Sequence, residues 1–130
     1  MAFLRGLCDD FNVAATVVIV DDHAAFRASA RNLLESEGFI VLGEAGTGAS
    51  ALDLVDALRP DVVLLDVVLP DTDGLEVAER LADCRSQVVL VSSRDPGDFG
   101  ARFRRTPAAG FISKDDLSSE TLEELLKEAP

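Results

Sequence analysis

The chain has 130 residues, a mass of 13.8 kDa and 48% hydrophobic side chains, which suits one domain with its own core and excludes a multidomain enzyme. Its 12 basic residues against 24 acidic ones leave a net charge of −12. Long-range repulsion therefore disfavours a nonspecific grip on nucleic acid or an anionic membrane and makes cations the expected ligands. Cys8 and Cys84 are too few for a disulfide framework and lack zinc-site spacing, so both read as free thiols in a reducing compartment. No run approaches the ~20 apolar residues that span a bilayer, and residues 1–7 lack the pattern of a signal peptide. A soluble, cytoplasmic chain is expected.

Residues 1–15 show no clear periodicity and read as a leader or short extension ahead of a domain covering 16–130. Residues 16–20 form a β-branched run that stops at Asp21-Asp22-His23, as a strand buried on both faces does. Phe26, Ala30, Leu33, Leu34 and Glu37 then follow helical spacing, with Gly38 as the left-handed stop. A second short run, 39–42, leads to a loop marked by Gly43, Gly46 and Gly48. Ala51, Leu54, Val55 and Leu58 repeat the helical stripe, and Pro60 ends it. The third run, 62–65, ends at Asp66, and a proline and glycine loop opens a helix with the stripe Leu75, Ala78, Leu81 and Ala82. The fourth, 88–91, ends at Ser92 and Ser93. Between 95 and 107 only Phe99 and Phe103 are large apolar anchors, which predicts a short or mobile helix. Phe111 and Ile112 form the fifth run, ending at Ser113-Lys114. Leu122, Leu125, Leu126 and Ala129 make a final helix with Ser118 as its N-cap. This alternation predicts an α/β fold: a doubly wound, flavodoxin-like, five-stranded parallel sheet of order 2-1-3-4-5 with helices on both faces.

In such sheets ligands bind beyond the carboxyl ends of the strands, where strand order reverses. The first strand delivers Asp21 and Asp22 there, the third Asp66, the fourth Ser92 and the fifth Lys114. With the first and third strands adjacent, three carboxylates converge, and such a cluster repels itself unless a cation joins it. All-oxygen ligation suits Mg²⁺, which takes one or two carboxylates and completes its shell with water and phosphate oxygens. Lys114 adds a mobile positive charge and Ser92 a hydroxyl donor. Together these groups can neutralise a phosphoryl group arriving on one carboxylate.

On these residues the chain resembles the CheY-like receiver domains of bacterial two-component response regulators. Asp21-Asp22 matches the family's acid pair, and Asp66, followed by Pro70 and Gly74, matches its phosphoacceptor loop. Ser92 fits the hydroxyl position, Phe111 the aromatic switch position and Lys114 the family's lysine. The wording Val-Asp-Asp-His-Ala-Ala-Phe-Arg, Gly-Glu-Ala-Gly-Thr-Gly and Gly-Phe-Ile-Ser-Lys-Asp is similar to the NarL/LuxR-type subfamily, whose members usually append a helix-turn-helix domain. No such segment occurs in these 130 residues. Three departures stand out: the span from Asp66 to Ser92 is a few residues short for the family, Ser93 replaces a smaller residue, and Phe111 lacks a tyrosine's hydroxyl.

The resemblance implies a phosphoryl acceptor, with self-catalysed phosphorylation and dephosphorylation as its only chemistry. A sensor histidine kinase would donate to Asp66 with Mg²⁺ held by Asp21, Asp22, Asp66 and the backbone carbonyl of Val68. Ser92 and Lys114 would stabilise the phosphoryl group, Ser92 and Phe111 would switch an interaction face, and Val68 and Arg94 would set the lifetime. Expected partners are the kinase, a second copy on phosphorylation, and a downstream protein or a separate DNA-binding domain. Neither nucleic acid nor membrane is expected to bind this chain alone. The alternative is the amino-terminal regulatory part of a DNA-binding transcriptional regulator. A haloacid-dehalogenase-type phosphatase built on Asp71-Thr72-Asp73-Gly74 is disfavoured, because Leu75 stands where that motif wants Thr or Val and Pro70 interrupts the delivering strand. His23 reads as a helix-start residue with no metal role, the glycines from 43 to 48 as a turn, and Arg102, Arg104 and Arg105 as a solvated or protein-docking face.

Overall fold

Runs of valine, leucine and isoleucine, stiff at χ1 and suited to a pleated surface, form five strands: β1 (Thr16–Val20), β2 (Ile40–Ala45), β3 (Val62–Asp66), β4 (Gln87–Ser92) and β5 (Gly110–Ser113). The computed structural model describes residues 15–94 and 96–128. All pairings between these strands are parallel and the order is β2-β1-β3-β4-β5, as the alternation of elements predicts. The connecting helices are α1 (Ala24–Ser36), α2 (Gly48–Leu58), α3 (Gly74–Arg80), α4 (Ala101–Arg104) and α5 (Ser119–Glu128), with 3₁₀ turns at Pro96–Phe99 and Lys114–Asp116. No helix among the described residues is long and apolar enough to cross a membrane.

Because side chains alternate across a strand, each strand feeds two cores. Val17 and Ile19 point to one face and pack with Leu34 of α1 and Leu122 of α5. Val18 and Val20 point to the other, against Val55 of α2 and Ala78 of α3. The middle strands β1, β3 and β4 are buried nearly throughout, which explains their unbroken apolar sequence.

Several boundaries differ from the sequence reading. The second run extends through Gly43 to Ala45, so Gly43 belongs to a strand and not a loop. The β1–β2 register shifts there, and a Cβ on Gly43 would meet Leu54 at 3.1 Å, so this glycine lets α2 lie close over β2. Gly48 is the first residue of α2, behind a capping box formed by Thr47 and Ser50. That helix ends at Leu58 with Arg59 as its C-cap, whose φ of 49° is left-handed and whose N–H bonds to Val55, so the stop precedes Pro60. In α3 the buried side includes Val77, while Ala82 lies beyond the helix and is exposed. The short 66–92 span accommodates an α3 of only 7 residues. Gly38 does take a left-handed φ of 97°, and the Ser118 hydroxyl does cap α5 by accepting from the Thr121 N–H at 3.0 Å. Ala15 is buried, and its carbonyl accepts from Ile40. Residues 1–14, with Cys8, and Ala129 lie outside the described residues, whereas Cys84 is a free thiol.

Candidate functional site

Parallel pairing turns all five carboxyl ends to one edge of the sheet. Asp66 and Ser92 are the last residues of β3 and β4, while Asp21 and Lys114 directly follow β1 and β5. Asp21 and Asp66 are 0% and 3% exposed, and Asp22 forms the open side of the group with its side chain 36% exposed. Lys114 joins them: its Nζ lies 2.5 Å from Asp21 Oδ2 and 3.2 Å from Asp66 Oδ2. The same ammonium sits 4.5 Å from the centroid of Phe26, so this ring, read from sequence as core, also supports the lysine through a cation–π contact.

The acid loops are held by local hydrogen bonds. Asp21 Oδ1 accepts from the His23 backbone N–H at 2.8 Å, and Asp66 Oδ1 accepts from the Val68 N–H at 3.1 Å. Asp21 Oδ2 is buried without a partner in hydrogen-bonding geometry. Burial pushes the Asp21 carboxyl upward, but Lys114 and the bonds from His23 outweigh it and hold the group below its ordinary value. At Asp66 burial wins, reinforced by the nearby Asp21 charge, and the carboxyl is raised despite Val68 and Lys114. Burial would lower the Lys114 ammonium, yet the two carboxylates raise it, so it stays charged.

Ligand atoms of Asp21, Asp22, His23 and Asp66 lie within 4.8 Å of one another. Three carboxylates against one lysine, two of them buried, fit a hard divalent cation. The sequence reading set His23 aside, but the structure brings its Nδ1 to 3.1 Å from Asp21 Oδ1 and 3.0 Å from Asp22 Oδ1.

Ser92 is buried, and its Oγ accepts from the Arg94 N–H at 3.0 Å. Phe111 stands apart from the acids, opposite Leu90 in the β4–β5 ladder. It meets Phe103 of α4 edge-on at 5.3 Å, and Phe103 continues to Phe99 at 6.4 Å. Val68 and Arg94 line one open cleft of about 360 Å³, shared with Thr72 and Arg102. Arg102, exposed like Arg104 and Arg105, also grips Asp73 at 2.8 and 3.1 Å. Asp73 also caps α3 through the Glu76 N–H, and Asp71 caps α2 by accepting from Gly48 and Ala49 at 2.8 and 3.0 Å. Both carboxylates of the phosphatase-like motif are therefore occupied as caps. Arg27 and Glu44 were not singled out from sequence, yet Arg27 Nη1 donates to the Asp21 carbonyl at 2.6 Å and its Nε to Glu44 at 3.1 Å. The available signal was a lone glutamate at the end of an apolar strand.

Residues 17–127 match the response regulator receiver domain family. The chain belongs to that family. A transcriptional regulator of Pseudomonas aeruginosa is 41% identical over 108 residues, covering 82% of this chain and 52% of that protein. The transcriptional regulatory protein NarL of Mycobacterium tuberculosis is 38% identical over 113 residues, covering 85% and 52%. This receiver domain thus spans about half the length of the curated relatives it matches. Among solved structures, the signal receiver domain of the response regulator NarL from Mycobacterium tuberculosis superposes with a TM-score of 0.80 at 34% identity, covering 88% of this chain and 98% of that one. The CheY-like, NarL/LuxR-type resemblance and the predicted strand order therefore both hold.

Proposed function

We propose that this receiver domain accepts a phosphoryl group on Asp66 from a phosphohistidine of a sensor kinase. The observation that carries the reading is the placement of Lys114, whose ammonium reaches both Asp21 Oδ2 and Asp66 Oδ2. An Asp66 carboxylate oxygen attacks phosphorus, the P–N bond breaks, and the imidazole leaves with a proton. Asp21, Asp22, Asp66 and the Val68 carbonyl would hold Mg²⁺, which supplies charge neutralisation at the phosphoryl oxygens when bound. Lys114 offers a second positive charge to those oxygens, and Ser92, turning its hydroxyl from the Arg94 N–H, offers a hydrogen bond. Movement of Ser92 opens room along β4 and β5, where Phe111 and its partner Phe103 repack and alter the α4 face. Val68 offers water no hydrogen bond and Arg94 no base, so hydrolysis is slow.

Self-catalysed phosphorylation and dephosphorylation are the only chemistry in this reading, and the setting is the cytoplasm. The domain covers residues 16–130, with 1–15 as an extension. The relatives named as transcriptional regulators, about twice as long as the match, favour an output through a DNA-binding domain. Phosphorylation would then act through pairing of two copies or contact with that effector. With a net charge of −12 this chain alone should not bind duplex DNA. The test is intact mass after incubation with acetyl phosphate and Mg²⁺. The wild type gains one phosphoryl group, Asp66→Asn gains none, and equal gain in both refutes the assignment.

A further inference from the structure

Asp21 follows Val20, the last paired residue of β1; its N–H still bonds to Ala45 of β2 at 3.0 Å, while its own carbonyl is taken by a side chain. Arg27, one turn into α1, donates from Nη1 to that carbonyl at 2.6 Å. Its Nε is at the same time bonded to Glu44 Oε1 of β2 at 3.1 Å. Glu44 is in turn fixed from the other side, where its Oε2 accepts from Arg31 Nε at 2.6 Å, and Arg31 reaches Glu35 at 3.3 Å. The Arg27 side chain is only 22% exposed, so the guanidinium is oriented by its neighbours and not by solvent.

The peptide group whose oxygen Arg27 holds joins Asp21 to Asp22. Its plane sets where Asp22 leaves the main chain and so how two of the three carboxylates face each other. A planar fork that grips a carboxylate with one nitrogen and a carbonyl with another does this in a way a point charge cannot. We infer that Arg27 is a positioning residue for the acid pair: anchored by Glu44, it fixes the Asp21–Asp22 peptide and thereby the cation site. The two sequence words that contain Arg27 and Glu44 meet here, in a role separate from strand and helix formation.

This inference rests on the reading of the acid cluster as a Mg²⁺ site, and the test separates the two. Mg²⁺ binding is measured by calorimetry in the wild type, Arg27→Ala, Arg27→Lys and Arg31→Ala. In parallel, amide hydrogen exchange of Asp22 and His23 is followed in metal-free protein, and thermal melting is recorded for all four. Loss of an outer-shell partner that orients ligands typically costs about tenfold or more in metal affinity. Arg27→Ala should show that loss together with faster exchange at Asp22 and His23, and Arg27→Lys should recover little of either. Arg31→Ala, which touches Glu44 but not the carbonyl, should lower the melting temperature while keeping affinity within about twofold of the wild type, well short of the outer-shell effect. Unchanged affinity and exchange in Arg27→Ala, or equal loss in Arg31→Ala, overturns the inference. A wild type that binds no Mg²⁺ sinks the proposed function instead, and the metal-free exchange then decides whether Arg27 holds the acid-pair backbone.

Discussion

Gly74 packs onto the main chain of Asp66 with no room for a side chain: a Cβ at position 74 would stand 2.3 Å from the Asp66 oxygen and 2.8 Å from Val67 Cα. Its N–H also bonds to the Val67 carbonyl at 2.6 Å, tying the start of α3 to the end of β3. Gly74→Ala must push the 67–73 loop off the strand, at a cost of about 2 kcal/mol. Gly97→Ala is the control, since nothing lies within 4 Å of a Cβ there. Urea denaturation should show the loss in the first variant and a change within about 0.5 kcal/mol in the second.

Lys114 is the one cation that reaches both buried carboxylates among the described residues. Lys114→Met leaves Asp21 and Asp66 facing each other without it, and the metal-free protein should lose about 2 kcal/mol, as charged hydrogen bonds of this kind are worth. Adding Mg²⁺ should narrow the gap to the wild type, because a bound cation takes over part of the neutralisation. Denaturation curves with EDTA and with Mg²⁺ check both statements. A variant as stable as the wild type in EDTA would show that the lysine does not offset the acid repulsion.

The strand order and the acids at the strand ends were legible in the sequence because both follow from short-range signals. Apolar runs of β-branched residues name strands, and the polar residue that stops each run marks its end at the ligand edge. What the sequence hid is contact between distant elements. Nothing local tells that Asp71 caps a helix 22 and 23 residues earlier, or that Arg102 returns to Asp73 across 29 positions. His23 looked like a helix-start residue, and its backbone does occupy the N-cap of α1. Its ring also reaches Asp21 and Asp22, the two residues before it, a local contact that depends on the side-chain rotamer and so leaves no mark in the sequence pattern. Gly43 misled for a different reason: glycine usually breaks a strand pattern, but here it serves a register shift and close packing of α2.

Glu44 links pH to stability. The Arg31 hydrogen bond, followed by that of Arg27, outweighs burial and holds its carboxyl below the ordinary value of 4.5. A carboxylate with a depressed folded-state pKa contributes stability that is full above the ordinary value and is lost as pH falls through the folded one. Glu44→Gln should therefore be less stable than the wild type at pH 7, by at most about 1 kcal/mol for a network that solvent still partly screens. The difference should close on acidification below the ordinary glutamate range. Paired denaturation curves from pH 7 to strongly acid pH measure it, and a difference that grows on acidification has the wrong sign.

The central claim is that one particular aspartate, Asp66, carries the phosphoryl group. Borohydride converts an aspartyl phosphate into homoserine, leaving a stable mark at the modified position. After treatment of the protein with a phosphodonor and Mg²⁺, then borohydride, peptide mass mapping should find homoserine at position 66 and should lose it when Mg²⁺ is replaced by EDTA. Homoserine at Asp21, Asp22, Asp71 or Asp73 with an unmodified Asp66 would contradict the account.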